Sequence, residues 1–291
     1  MDRVFFDERF DSLVSQLNKD VVNQITPLLV SSSPQNEVMR SYHPALIATV
    51  LEDISRNHRP ETLLLCKKVL LVGIILNNWH NLHKLKIVGE YKSYFERIYQ
   101  ATEKNELLSL SATDIFWKEL AIARLQFFPI KSCVVDFYSG FGFRQGLSWD
   151  IFQSFKFLSF ILKYGRKPYY RTHLHTPLLA FFSENYWIKS YLQIAEVLAI
   201  NKSIKGLVRT SWYFDPIIKR ISPHLSYLQE LPLKNGAHLF CVGPDESGCA
   251  LHKSTSRLAL YNEGEYKPTN YLLVWPREAI ISWAEDHKMR G

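Results

Sequence analysis

Apolar side chains recur at three- and four-residue steps through the first 110 residues, and that period predicts helices. Phe6, Phe10, Leu13, Val14 and Leu17 form one such stripe. Pro27 and the run Ser31-Ser32-Ser33-Pro34 interrupt it. A second helix is predicted from about Asn36 to Ser55, with Leu46, Val50, Leu51 and Ile54 on one face. A third opens after Pro60. Its stretch Leu63–Leu76 is apolar on most sides, which predicts a helix buried against neighbours. A fourth, from about His83 to Thr102, places Ile87, Tyr91, Tyr94, Phe95 and Ile98 at helical spacing. No strand-like alternation appears in this part.

Beyond about Ser111 the texture changes. Strands are predicted at Ser132–Ser139, Tyr169–His175, Ile204–Phe214, Ala237–Gly243 and Thr269–Trp275. Between them lie helical stretches at Trp149–Tyr164, Phe181–Ile200 and Ser254–Glu263, the last stopped by Gly264, and a closing helix spans Glu278–His287. Asp215-Pro216 reads as a helix start, with Asp as N-cap and Pro in the first turn. The alternation predicts an α/β or α+β fold. An N-terminal helical region, residues 1–110, would pack on a roughly five-stranded sheet with flanking helices. Residues 111–291 would form the α/β domain that carries the site.

Charge changes this picture because it is uneven. The chain of 291 residues has 35 Lys and Arg against 28 Asp and Glu. The helical region is balanced, so the whole excess lies beyond residue 110. Residues 156–220 hold 11 basic side chains and only three acidic ones. A local excess of this kind attracts phosphate groups, on a small molecule or on a nucleic acid. The stretch Thr62–Leu76 is interrupted by Lys67 and Lys68 and is too short for a bilayer, so no membrane span is expected. The start Met1-Asp2-Arg3-Val4-Phe5 lacks the pattern of a signal peptide. The four cysteines show no CxxC pairing and no disulfide framework. A reduced, cytoplasmic setting follows as the expectation.

Three clusters carry candidate chemistry. Val134-Val135-Asp136-Phe137-Tyr138-Ser139-Gly140-Phe141-Gly142, followed by Gly146 and a helix, has the order strand, glycine loop, helix. That order brings backbone N–H groups to a phosphate or nucleoside. It resembles the first motif of Rossmann-type methyltransferases, with Tyr138 in place of the first glycine, and implies S-adenosylmethionine as an alternative ligand. His173 and His175 are two apart, so on a strand both imidazoles would point to one face, where either could act as a base. No metal is expected from this pair alone. Arg209-Thr210-Ser211-Trp212-Tyr213-Phe214-Asp215 takes an apolar strand to a polar end just before a helix start, where open α/β sheets hold their ligands.

A fourth segment, Leu260-Tyr261-Asn262-Glu263-Gly264 followed by the strand Thr269–Trp275, resembles the end of GNAT-type acyltransferases. The resemblance covers about 40 residues and implies an acyl-CoA donor, with Tyr261 protonating the leaving thiolate. The glycine-rich pyrophosphate loop of that family has no counterpart after Ile204–Phe214, where the chain reads Asp215-Pro216-Ile217-Ile218-Lys219-Arg220.

The expected activity is therefore acyl transfer from an acyl-CoA-type donor to a small amine or hydroxyl acceptor. Tyr261, His173, His175 and Asp215 are the expected catalytic groups. Arg209, Ser211, Lys219 and Arg220 are expected to bind the phosphate-bearing donor. Nucleic-acid binding through the basic 156–220 region is the alternative from another class. No GxSxG, P-loop, HExxH or kinase signature is present.

Overall fold

The computed structural model describes residues 3–30, 43–84, 88–103, 113–147, 150–252 and 254–290. The chain divides into two compact units. One comprises residues 1–130 with 175–177, and the other comprises 131–174 with 178–291.

The first unit is built from α1 (Arg3–Val14), α2 (Lys19–Val30), α3 (Ala45–Asn57), α4 (Pro60–Asn78), α5 (Val88–Glu103) and α6 (Thr113–Ala123), followed by the short strand β1 (Phe127–Pro129). As its composition predicts, α4 is the buried centre: Val69 to Ile75 are all shielded from water. Pro60 opens it at a first-turn position, where a missing N–H costs nothing. Gly73 lets α1 and α2 close on it, since a Cβ there would meet the Phe10 ring at 2.7 Å and Leu29 at 2.8 Å. Among the described residues only Pro60–Leu82 is long and apolar enough to cross a bilayer, and 61% of its apolar window is buried.

The expected second helix begins at Ala45, and the residues assigned to it at 36–42 lie outside the described residues. The expected fourth helix starts at Val88, after a separate turn at Trp79–Lys84. Two elements were not anticipated, α6 and β1. Helix α6 stops without a glycine. Leu125 takes a left-handed φ of 58°, Gln126 N donates to Ala121 O at 2.9 Å, and Leu125 N donates to Ile122 O at 2.9 Å. This is a Schellman-type ending with leucine in the position glycine normally takes.

The second unit holds β2 (Val134–Ser139), β3 (Tyr169–His173), β4 (Gly206–Ser211), β5 (His238–Pro244) and β6 (Thr269–Pro276). Their order across the sheet is β2-β3-β4-β6-β5. Among the described residues the chain thus has six strands rather than about five, in a mixed α/β fold. Strands β2 and β3 pair antiparallel, β3 and β4 parallel, and β6 is antiparallel to both β4 and β5. The helices are α7 (Ile151–Tyr164), α8 (Glu184–Ile200), the short α9 (Ile218–Ile221), α10 (Tyr227–Lys234), α11 (Thr255–Asn262) and α12 (Arg277–Arg290).

Alternation along each strand decides which helix covers which face. Val208 and Val274, with Tyr169, Phe240 and Leu272, meet Phe157 and Phe160 of α7 in one apolar cluster. The other face carries Trp275, which packs edge-on to Tyr191 of α8 at 5.3 Å and against Trp283 of α12 at 5.3 Å. Helix α8 is the crossover between β3 and β4, and that covalent path makes them parallel. Gln153 of α7 secures the irregular part of β5. Its amide donates to Cys241 O at 3.0 Å and accepts from Cys241 N at 2.8 Å.

Candidate functional site at the ends of the parallel strands

The parallel ladder consists of Tyr170↔Leu207 and Arg171↔Val208. Strand β3 runs on to His173, and β4 runs on to Ser211 with its other edge paired to β6 as far as Ser211↔Tyr271. The parallel ladder therefore stops two residues before the end of β3 and three before the end of β4. Beyond the last pair a side chain bridges them: Arg171 donates to Thr210 Oγ1 at 3.4 Å, to Ser139 Oγ at 2.9 Å and to Gly140 O at 2.6 Å.

After Ser211 the chain leaves the sheet. The expected strand to Phe214 is corrected here, because Trp212–Phe214 form a 3-10 turn. An extended chain would send Tyr213 and Phe214 to opposite faces. The turn instead brings both rings onto Arg209. The Arg209 guanidinium lies 4.4 Å from the Trp187 ring, 4.7 Å from Tyr213 and 5.9 Å from Phe214. Arg209 is only 3% exposed, and both of its terminal nitrogens lack a hydrogen-bond partner among the described residues. The indole N–H of Trp187 and the hydroxyl of Thr172 are likewise buried and unsatisfied. Ser211 is also buried.

Asp215 closes the turn. Its carboxylate accepts from Ile217 N at 3.1 Å, and its carbonyl accepts from Gln229 Nε2 at 3.2 Å. Burial holds its carboxyl above the usual range, against the opposing pull of that N–H. Tyr266 and Tyr271 neighbour it. Burial and then Asp215 push the Tyr266 hydroxyl up to about 12, and burial and the adjacent Cys241 push Tyr271 up to about 12. Arg257, buried on α11, lies 4.5 Å from the Trp212 ring and donates to Ala250 O at 2.6 Å and to Ser222 Oγ at 3.1 Å. Tyr261 is four residues further along that helix, and positions i and i+4 lie on one side. Its side chain is about half exposed. Arg257 thus links the helix of Tyr261 to the turn of Asp215. Lys219 and Arg220 follow on α9, with Lys219 paired to Glu230 at 3.2 Å.

The expected convergence of His173 and His175 is corrected. Strand β3 ends at His173, and His175 belongs to the first unit. There its Nε2 lies 3.2 Å from Glu119 Oε1, which also accepts from Arg97. Burial raises the Glu119 carboxyl, and Arg97 and His175 more than offset this, leaving it below its usual range. Among the described residues no three His, Cys, Asp or Glu side chains group as a metal site.

The glycines of the 140–146 loop serve packing. A Cβ on Gly140 would meet Lys167 Cγ at 2.3 Å, and one on Gly146 would meet the Phe157 ring at 2.3 Å. Phe141 N donates to Arg166 O, and Gly142 N donates to Gln145 Oε1. The strand that follows α7 pairs antiparallel with β2, whereas a dinucleotide-type unit returns parallel.

Trp187 is one of the aromatic side chains interleaved with the basic residues of 156–220, but no spacing or motif marks Arg257, Tyr266 or Tyr271. The nearest signal was aromatic density beside isolated basic residues, which looks the same in an ordinary core. No family model matches the chain, and no curated protein or solved structure matches it.

Proposed function

We propose that the second unit binds an acyl thioester of the coenzyme A type and transfers its acyl group to a small amine or hydroxyl acceptor. The observation that carries this reading is the end of the β3–β4 ladder at Arg171↔Val208, short of the end of either strand. A strand edge that has no ladder partner can pair with an extended amide-bearing chain, and the pantetheine arm of coenzyme A is such a chain. The site also lies at the C-terminal ends of parallel strands, where open sheets take ligands.

In this reading the donor lies along β4 beyond the ladder, at Arg209–Ser211, and its phosphates reach Lys219 and Arg220. His173, at the end of β3, takes a proton from the acceptor as it attacks the thioester carbonyl. The carbon–sulfur bond breaks, and Tyr261 returns a proton to the departing thiolate. Asp215 acts as a positioning residue for the turn. His175, held by Glu119, has no role here.

Titration calorimetry and thermal shift with acetyl-CoA, CoA and S-adenosylmethionine test the reading. Saturable binding of the first two and none of the third is expected. No shift with CoA or acetyl-CoA at millimolar concentration would overturn it. If an acceptor supports turnover, Tyr261→Phe is expected to lower kcat about 100-fold while donor affinity stays unchanged.

A further inference from the structure

Helix α7 packs Phe157 and Phe160 into the sheet, yet its outer face is also apolar. Ile151 is 67% exposed, Phe152 87%, Phe155 67% and Leu162 89%. Four large apolar side chains on one 14-residue helix are far from the scattered single exposures usual on a protein surface. Phe155 and Leu162 are seven residues apart, two helical turns, and Ile151 is one turn before Phe155, so they form a continuous stripe. Lys156 and Lys163, also seven apart, run beside that stripe, and both are exposed. Arg166 and Lys167 are exposed just beyond the C-terminus of the helix, and Arg166 lies 5.8 Å from the ring of Phe143, which is itself partly exposed.

The charge here has one sign. From Ile151 to Ser183 the chain contains five basic residues and no acidic one. Asp150, the nearest carboxylate in sequence, accepts from Phe152 N and Gln153 N as the helix cap. Burial and then Lys156 and Lys163 hold the imidazole of His238, on the neighbouring strand, below its usual range. That is the response expected of a group placed in a positive field.

We infer that α7 is a docking surface for an anionic lipid bilayer. The stripe of Phe152, Phe155 and Leu162 enters the headgroup boundary, and Lys156, Lys163, Arg166 and Lys167 engage lipid phosphates. A single convex helix with an apolar ridge and a basic flank is the geometry of interfacial helices, which lie in the membrane plane. The absence of carboxylates from Ile151 to Ser183 matches a negative surface. The inference stands apart from the acyl-transfer reading, because neither the end of β4 nor Tyr261 enters it.

The test is co-sedimentation of the whole chain with vesicles of phosphatidylcholine alone and of phosphatidylcholine mixed with phosphatidylserine. Binding to the mixed vesicles, weakened by salt, is expected, with at least tenfold less binding to the neutral ones. The double variant Phe155→Asp with Leu162→Asp is expected to lose at least tenfold in binding to mixed vesicles. Lys156→Glu with Lys163→Glu is expected to abolish the preference for phosphatidylserine. All four positions face solvent, so circular dichroism and melting temperature should match the parent and separate lost docking from lost folding. Equal binding to neutral vesicles, or full binding by the Asp variant, would overturn the inference. So would a dimer in light scattering that the Asp variant dissociates, since a second copy would then occupy the ridge.

Discussion

Replacing Arg209 by methionine separates a functional cation from a structural one. Arg209 is almost fully buried with no carboxylate partner among the described residues, and its charge faces three rings at 4.4, 4.7 and 5.9 Å. Two close cation–π contacts and one at the edge of range give back about 2 kcal/mol in total. Against this stands the desolvation of a guanidinium whose terminal nitrogens are unsatisfied, an effective penalty of several kcal/mol. Methionine has a similar reach, fills the same space and makes favourable sulfur–aromatic contacts of about 1 kcal/mol. The free protein should therefore hold its stability or gain about 1–3 kcal/mol. For a unit of this size that is an unchanged melting temperature or a rise of about 2–10 °C. Circular dichroism follows the thermal transition of parent and variant. If the cation serves the donor site, Arg209→Met is expected to weaken acetyl-CoA binding at least tenfold in calorimetry. A variant that melts several degrees lower and binds acetyl-CoA like the parent would refute the reasoning, and Arg209 would then be a packing residue of the core.

Two further predictions concern the scaffold. Glu119→Gln leaves Arg97 without its carboxylate and should cost about 3 kcal/mol in urea denaturation, near the low end for a broken buried pair because Arg97 is about a third exposed. Because the folded carboxyl titrates below its usual range, its contribution is present above that range and is lost as pH falls through the folded value, so the variant's denaturation midpoint should fall less steeply than the parent's below about pH 4.5. A parallel decline in both proteins would contradict this account. Gly206 has φ +146°, and a Cβ there would lie 2.2 Å from Trp275 O and 2.9 Å from Arg277 N, backbone atoms that cannot give way. Gly206→Ala should cost about 3 kcal/mol or more in the urea midpoint. Gly264→Ala, at φ +77° with open space around it, should cost about 1 kcal/mol, and equal losses in the two would show that strain rather than collision governs Gly206.

Locally encoded features were legible in the chain. Helix α4 follows from Pro60 and an apolar run, and α11 follows from the Ser254 cap and the Gly264 stop. These depend on residues within a turn or two of one another, and the period of apolar positions reports them directly. The segment Arg209–Asp215 stood out for the same reason. The end of α6 did not, because its left-handed residue is Leu125, and only the surrounding structure holds a leucine there.

Tertiary structure decided what local chemistry leaves open. Two residues after His173, His175 passes into the other unit to meet Glu119, and no pattern of two residues encodes that partner 56 positions away. The basic count of residues 156–220 gave the charge but not its direction. Arg209 turns inward onto aromatic rings, while Lys156 and Lys163 face water beside an apolar ridge. The short β3–β4 ladder depends on how α8 returns the chain, and β6 takes the other edge of β4. Side-chain period and turn chemistry act over a few residues, so the sequence by itself determined most of the elements, though not α6, β1 or the turn at Trp212–Phe214. Strand partners and the environment of each charge are chosen by contacts between segments far apart in the chain, and only the folded whole contains those contacts.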